Sequence, residues 1–163
     1  MDEKNKEFSG NCKIDKKDIE IIRILEKNSR ISILNLAKKI NLSHETVRYR
    51  INKLKKMGVI ENFTISVNKR KLGYEIYAVI MISTWNYTEE KWKKFLDYLI
   101  ENKNIIAIEK ITGNYDLKIA FWAKDSEEFD KITQEIKTKF SGIIKEWQTF
   151  IFTKLIKWEE LPF

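Results

Sequence analysis

Between Asp15 and Gly58 the apolar residues fall at helical spacing; from Tyr74 onward much of the chain changes to a period of two. In DKKDIEIIRILEKN, residues Ile21, Ile22 and Leu25 form one stripe. Asp15 suits the N-cap, Asp18 three positions on makes a variant capping box, and Asn28 can close the helix, predicted over 16–27. Ser32 caps a short second helix, ILNLAKKI, with Leu36, Ala37 and Ile40 inward. Asn41 tolerates the left-handed backbone of a tight turn, and Leu42 is expected to pack inward. Ser43 then caps a third helix running to about Met57, with Val47, Ile51 and Leu54 as its stripe and Gly58 at the C′ position. A strand-like VIENFTISV follows. The pattern predicts a helix-turn-helix with a wing.

KRKLG (69–73) is a basic connector ending in glycine. Beyond it, YEIYAVIMISTW (74–85) reads as a strand and TEEKWKKFLDYLIEN as an amphipathic helix, with Trp92, Phe95, Leu96 and Leu99 on one face. IIAIEKIT and YDLKIAFWAK are two strands joined at Gly113–Asn114, a hairpin signal. Asp125 and Glu128 make a second capping-box pattern for a helix reaching about Phe140, and a long strand, IIKEWQTFIFTKLIKW, ends the series. The order βαββαβ predicts a ferredoxin-like domain. The fold class is therefore α+β. The expected boundaries are a flexible tail at 1–13, the winged helix-turn-helix at 14–68, a hinge at 69–73, the ferredoxin-like domain at 74–158 and a tail at 159–163. With both helices on one face of the sheet, Tyr77, Val79, Met81 or their out-of-phase neighbours leave the other face apolar, which predicts a homodimer.

Composition narrows the chemistry. The 163 residues are 43% hydrophobic and 12% aromatic, enough to bury real cores. No apolar run approaches the roughly 18 residues of a membrane helix, and MDEKNKEFSG has no apolar core of a signal peptide, so a cytoplasmic protein is the expectation. Cys12 and His44 are the single cysteine and histidine. An internal disulfide and a Cys-based zinc site are excluded, and no metal or cofactor is expected. Charge is uneven. Residues 1–72 hold 18 Lys and Arg against 9 Asp and Glu, whereas residues 73–163 hold 13 against 15. Only the first half suits a polyanion. Trp85, Trp92, Trp122, Trp147 and Trp158 all lie in the other half and suit core and dimer packing rather than base stacking. Glu89–Glu90 and Glu127–Glu128 each open a helix and complement its dipole.

The third helix carries the candidate chemistry. His44, Glu45, Arg48, Tyr49 and Asn52 point away from its apolar stripe, with Arg50 and Lys53 on the flanks. The major groove of DNA admits one helix and presents donors and acceptors to it. Arg48 can read guanine through paired hydrogen bonds; Ser43 and Thr46 can hold phosphate or base near the helix N-terminus, as can Ser32 at the second helix. Lys53, Lys55 and Lys56 suit backbone phosphates. Glu45 repels phosphate and helps only by accepting from a cytosine amino group or by orienting an arginine.

These residues resemble the Lrp/AsnC family of transcription regulators, from Ile14 to Lys157. The resemblance rests on D-x-x-D-x-x-I-I-x-x-L (15–25), R-I-S…L-A-x-x-I-x-L-S (30–43), S-x-x-T-V-x-x-R-I-x-x-L-x-x-x-G-V-I (43–60) and T-G-x-Y-D (112–116). It implies a winged helix-turn-helix, a hinge and a RAM-type βαββαβ domain that dimerises and responds to amino acids, with dimers pairing into tetramers or octamers. It also implies an effector site at Thr112, Gly113, Asn114, Tyr115 and Asp116, where Asp116 would hold an amino group. Two departures stand out: Asn41 occupies a turn position that is usually glycine, and Asn114 a loop position that is usually acidic. The leading expectation is a sequence-specific regulator that is not an enzyme. A low-specificity DNA-packaging protein is one alternative. A sirohaem decarboxylase-like enzyme is another, disfavoured because His44 is the sole histidine.

Overall fold

The computed structural model describes residues 13–157 and Pro162. The tails expected at 1–13 and 159–163, Cys12 and Trp158 fall outside that span, apart from Lys13 and Pro162. The chain divides into two compact units, with the change at Ser66/Val67.

The first unit holds helices α1 (Lys16–Lys27), α2 (Ile33–Ile40) and α3 (His44–Lys56). Each begins at an oxygen that satisfies an otherwise orphaned N–H. Asp15 Oδ1 accepts from the Lys17 and Asp18 amides at 2.8 and 2.9 Å, and Asp18 Oδ2 accepts from the Asp15 amide at 3.2 Å, a reciprocal capping box with Asp in place of Glu. Ser32 Oγ accepts from the Asn35 amide and Ser43 Oγ from the Thr46 amide. Between α2 and α3 the chain turns through Asn41 at φ 55°. Gly58, at φ 72°, ends α3, and the Val59 amide donates back to the Leu54 carbonyl at 2.9 Å. Ile21, Leu36, Ile40, Val47 and Leu54 are buried together as the core, and Leu42 packs against it.

The wing departs from the expected strand. Residues 59–68 enter no β-ladder. A ladder takes two strands, and the described residues offer this segment no partner. Val59 and Ile60 pack against the helical core and their amides donate to the Leu54 carbonyl; further along, Ser29 Oγ donates to the Thr64 carbonyl at 3.2 Å, while Phe63, Ile65 and Val67 remain exposed.

The second unit starts with a 3₁₀ turn, Lys69–Leu72, where the expected hinge falls. It continues as β1 (Ile76–Thr84), α4 (Glu89–Glu101), β2 (Ile105–Lys110), β3 (Leu117–Ala123), α5 (Ser126–Lys139) and β4 (Ile144–Ile151). The four strands lie in the order β2-β3-β1-β4, all antiparallel. Ala78, Ile80 and Ile82 alternate with Tyr77, Val79 and Met81 along β1. The first set is fully buried, and Ile80 and Ile82 join Phe95, Leu99, Ile136 and Phe140 of both helices in one core. The opposite face carries Tyr77, Val79, Ala120, Trp122 and Phe150, with Tyr77 stacked on Trp122 at 4.8 Å and beside Phe152. Phe150 is still 46% exposed.

Three local details differ from expectation. The strand expected through Trp158 stops at Ile151, the partner of Ala78; beyond it the Phe152 amide still donates to the Tyr77 carbonyl, and β1, which begins at Ile76, is too short to pair with a strand reaching Trp158. The β2–β3 connection is the six residues 111–116 rather than a two-residue turn at Gly113–Asn114. At α5, Asp125 caps Glu128 as expected, but Glu128 reaches one residue further back, to the Lys124 amide at 2.7 Å.

Candidate nucleic-acid interface

Val47 and Leu54 lock one side of α3 into the core, and Ile51 packs beside them. That fixes what the other side presents. His44, Glu45, Arg48, Tyr49, Asn52, Lys55 and Lys56 are exposed, Tyr49 to 69%. The exposed Ser43 hydroxyl lies 2.8 Å from Thr46 Oγ1 at the helix N-terminus, where amide dipoles favour an anion. Ser32 caps α2 and is exposed; Lys38 and Lys39, exposed in the last turn of α2, add positive charge before the Asn41 turn. Their signal was in the sequence, as the paired lysines before Asn41, but it is shared with any helix C-terminus that balances its dipole.

The flank of α3 behaves differently. Thr46, Arg50 and Lys53 follow one another at i, i+4 and i+7, and all three are half-buried. Arg50, expected to be available to DNA, is half-buried and engaged by two carboxylates of the protein itself. Its Nη1 donates to Asp15 Oδ2 and to Asp18 Oδ1, both at 2.7 Å. Asp18 is fully buried, and Arg50 Nε is buried as well. The Arg50 guanidinium holds the Asp15 carboxyl below the usual carboxylate range; in return, Asp18 first and Asp15 second raise the arginine above its ordinary value. Lys53 is also turned inward, its Nζ 4.0 Å from Asp18 Oδ2 and donating to the Lys13 carbonyl at 3.4 Å. Lys55 leans over the Phe63 ring at 5.9 Å. Among the described residues, Arg48 and Lys56 are the cations of the outer face of α3 with no ion pair or ring contact. The spacing of α1 revealed its cap; it held no sign that the same two carboxylates meet an arginine more than thirty positions away.

The loop at 111–116 is built from its base upward. The Asp116 amide donates to the Ile82 carbonyl, and the Thr84 amide and hydroxyl both donate to Asp116 Oδ2 at 2.7 Å. One oxygen of Asp116, the residue expected to hold an amino group, is thus taken up by β1. Tyr115 donates its hydroxyl to Gln148 Oε1 of β4 at 2.5 Å. Thr112, Gly113 and Asn114 are exposed above this base, with Gly113 at φ 141°, a backbone that side chains other than glycine rarely adopt. Among the described residues, no group of three or more His, Cys, Asp or Glu is placed to hold a metal ion, and no helix is long and apolar enough to cross a membrane.

Comparison with known proteins agrees with this arrangement. Residues 14–61 match the winged helix-turn-helix DNA-binding model and residues 77–159 the Lrp/AsnC ligand binding domain. An uncharacterised HTH-type transcriptional regulator of Pyrococcus horikoshii is 32% identical over 150 residues, covering 92% of each chain. The crystal structure of an AsnC family transcriptional regulator from Agrobacterium tumefaciens superposes with a TM-score of 0.82 at 25% identity, covering 91% of this chain and 97% of that one. A transcriptional regulator of Neisseria meningitidis, solved as an L-Met complex, superposes with a TM-score of 0.81 at 19% identity over 88% of this chain and 92% of its own. With a capped, basic helix-turn-helix in front and a four-stranded α+β unit behind it, the chain belongs to the Lrp/AsnC family of DNA-binding transcriptional regulators.

Proposed function

We propose that α3 enters the major groove of duplex DNA and reads sequence there, in a homodimer or larger even assembly that answers to an amino-acid-like metabolite. The observation that carries the reading is the outward row of α3, Glu45, Arg48, Tyr49 and Asn52, presented by a helix whose other side is fixed in the core. Arg48 and Asn52 read base edges, with His44, Glu45 and Tyr49 beside them. Ser32, Ser43 and Thr46 take phosphates at helix N-termini. Lys56, Lys55, Lys38 and Lys39 neutralise the backbone, and Lys53 contributes only in part. Arg50 is left out of this set.

The apolar face of Tyr77, Trp122 and Phe150 supports pairing of two copies, which would carry two helix-turn-helix units to half-sites about one helical turn apart. A monomer in sedimentation equilibrium at micromolar concentration would remove this part. An amino-acid effector is supported by the matched ligand-binding model and by the L-Met complex of the Neisseria regulator. Its assigned place is Thr112–Asp116, with Gly113 and Asn114 approaching it and Tyr115 and Asp116 holding the loop. No heat of binding with any proteinogenic amino acid would sink the assignment. Such a regulator works in the cytoplasm and catalyses nothing.

The deciding test is a mobility shift on the DNA upstream of the protein's own gene, with random duplex as competitor at physiological salt. Preferential retention is expected, and loss of all preference would overturn the reading. Arg48→Ala should weaken the preferred site by about 1–3 kcal/mol. Lys56→Ala should weaken all sequences alike and lower the salt slope by about 0.9.

A further inference from the structure

We propose that the carboxylate pair opening α1 is a clamp that sets the presentation of α3, and that Arg50 is its positioning residue, acting on DNA recognition without touching DNA. The proposal rests on the reading of α3 as the DNA-reading helix.

The apolar stripe of α3 decides which side faces inward. Burial of that kind is non-directional, so it leaves small rotations and slides of the helix weakly opposed. Charge-assisted hydrogen bonds are short and directional, and they oppose such motions. Arg50 supplies two of them from one nitrogen, to Asp15 and to Asp18. It lies next to Tyr49 and two positions from Arg48, so any shift it allows is passed to the outward row. The same turn of α1 also holds the other helix of the motif: Lys17 Nζ donates to the Ile40 carbonyl, the last residue of α2, at 2.8 Å. Both helices of the helix-turn-helix are thereby referenced to one turn of α1.

Arg50 cannot serve DNA and keep this arrangement. Swinging out to a phosphate would break both Nη1 bonds and strand the fully buried Asp18 carboxylate. Lys53, 4.0 Å from Asp18, is close enough to soften the loss of Arg50 but too distant to hydrogen-bond.

The test uses the full chain and a duplex recovered by selecting random-sequence DNA with the wild-type protein. Asp15→Asn keeps a good N-cap and removes one negative charge from the clamp. Electrostatics alone would tighten its hold on all DNA; the clamp predicts at least a fivefold weaker grip on the selected duplex, with random DNA bound as well as before or better. Arg50→Gln should lose at least tenfold on the selected duplex while its salt slope stays within about 0.3 of wild type. A slope reduced by about 0.9 would mean a lost phosphate contact and would overturn the proposal. If Arg50→Gln does not fold, Asp15→Asn decides alone: selected-site affinity equal to or above wild type rejects the clamp. Wild-type protein that selects no sequence would instead refute the DNA-reading assignment itself, and the clamp with it.

Discussion

The two units use charge in opposite ways. The helical unit has a small core, seven buried apolar residues, and buries a carboxylate at Asp18 beside it. The sheet unit packs eleven buried apolar residues into its main core, and among the described residues it buries no charged side chain. The difference follows from what each must hold. A ladder of backbone hydrogen bonds sets the register of neighbouring strands, so side chains need only fill space. Three short helices share no such ladder, and their mutual orientation has to come from side chains. An ionic clamp supplies direction at the cost of desolvating its groups.

If this contrast is right, the sheet unit fails by losing volume and the helical unit by losing a charge. Phe121→Ala, at a fully buried position, should cost about 3–5 kcal/mol in urea unfolding. A cost below about 1 kcal/mol would mean that the core is looser than its burial indicates. Asp18→Ala leaves Arg50 without its buried partner and opens the capping box; about 3 kcal/mol is expected, and a neutral result would break the comparison. Asn41→Ala tests the turn between α2 and α3. Its left-handed φ should make the substitution cost about 1 kcal/mol in thermal unfolding, while Asn41→Gly should be neutral or slightly stabilising.

The smallest effect sharpens the contrast through pH. Arg50 lowers the pKa of Asp15 in the folded state. The unfolded chain then binds more protons through that range, so stability falls as pH falls. The contribution is complete above the ordinary Asp pKa of about 3.9 and disappears as pH drops through the lower folded value. Because Asp15 is exposed, salt screens the effect. Melting curves of wild type and Arg50→Gln between pH 5 and pH 2, scanned in steps of about half a unit, should converge at the acid end; a gap that stays constant would show that Asp15 plays no part.

What the sequence disclosed, and what it hid, divides along local and non-local lines. The starts of α1, α2 and α3 were legible because Asp15, Ser32 and Ser43 bond to amides two or three residues away, and the ends of α2 and α3 because Asn41 and Gly58 allow a backbone that most residues resist. The strand expected at 59–67 does not form, for the complementary reason: alternation at Phe63, Ile65 and Val67 describes a face, and a strand exists only with a neighbour. The overlong final strand fails likewise: β1 begins at Ile76 and offers nothing for a strand reaching Trp158 to pair with. Within the candidate site, the outward row of α3 followed from counting around a helix. The capture of Arg50 by Asp15 and Asp18, and of Asp116 by Thr84, joins residues more than thirty positions apart, and one-dimensional spacing carries no trace of such pairs.

The Tyr77–Trp122 stack gives the molecule an optical reporter of its own. The Trp122 indole lies half-buried on the bare side of the sheet. A second copy drying that surface would move the Trp122 share of the emission toward the blue, so a variant with the other four tryptophans replaced by phenylalanine would report, with no dye attached, whether a partner seats there.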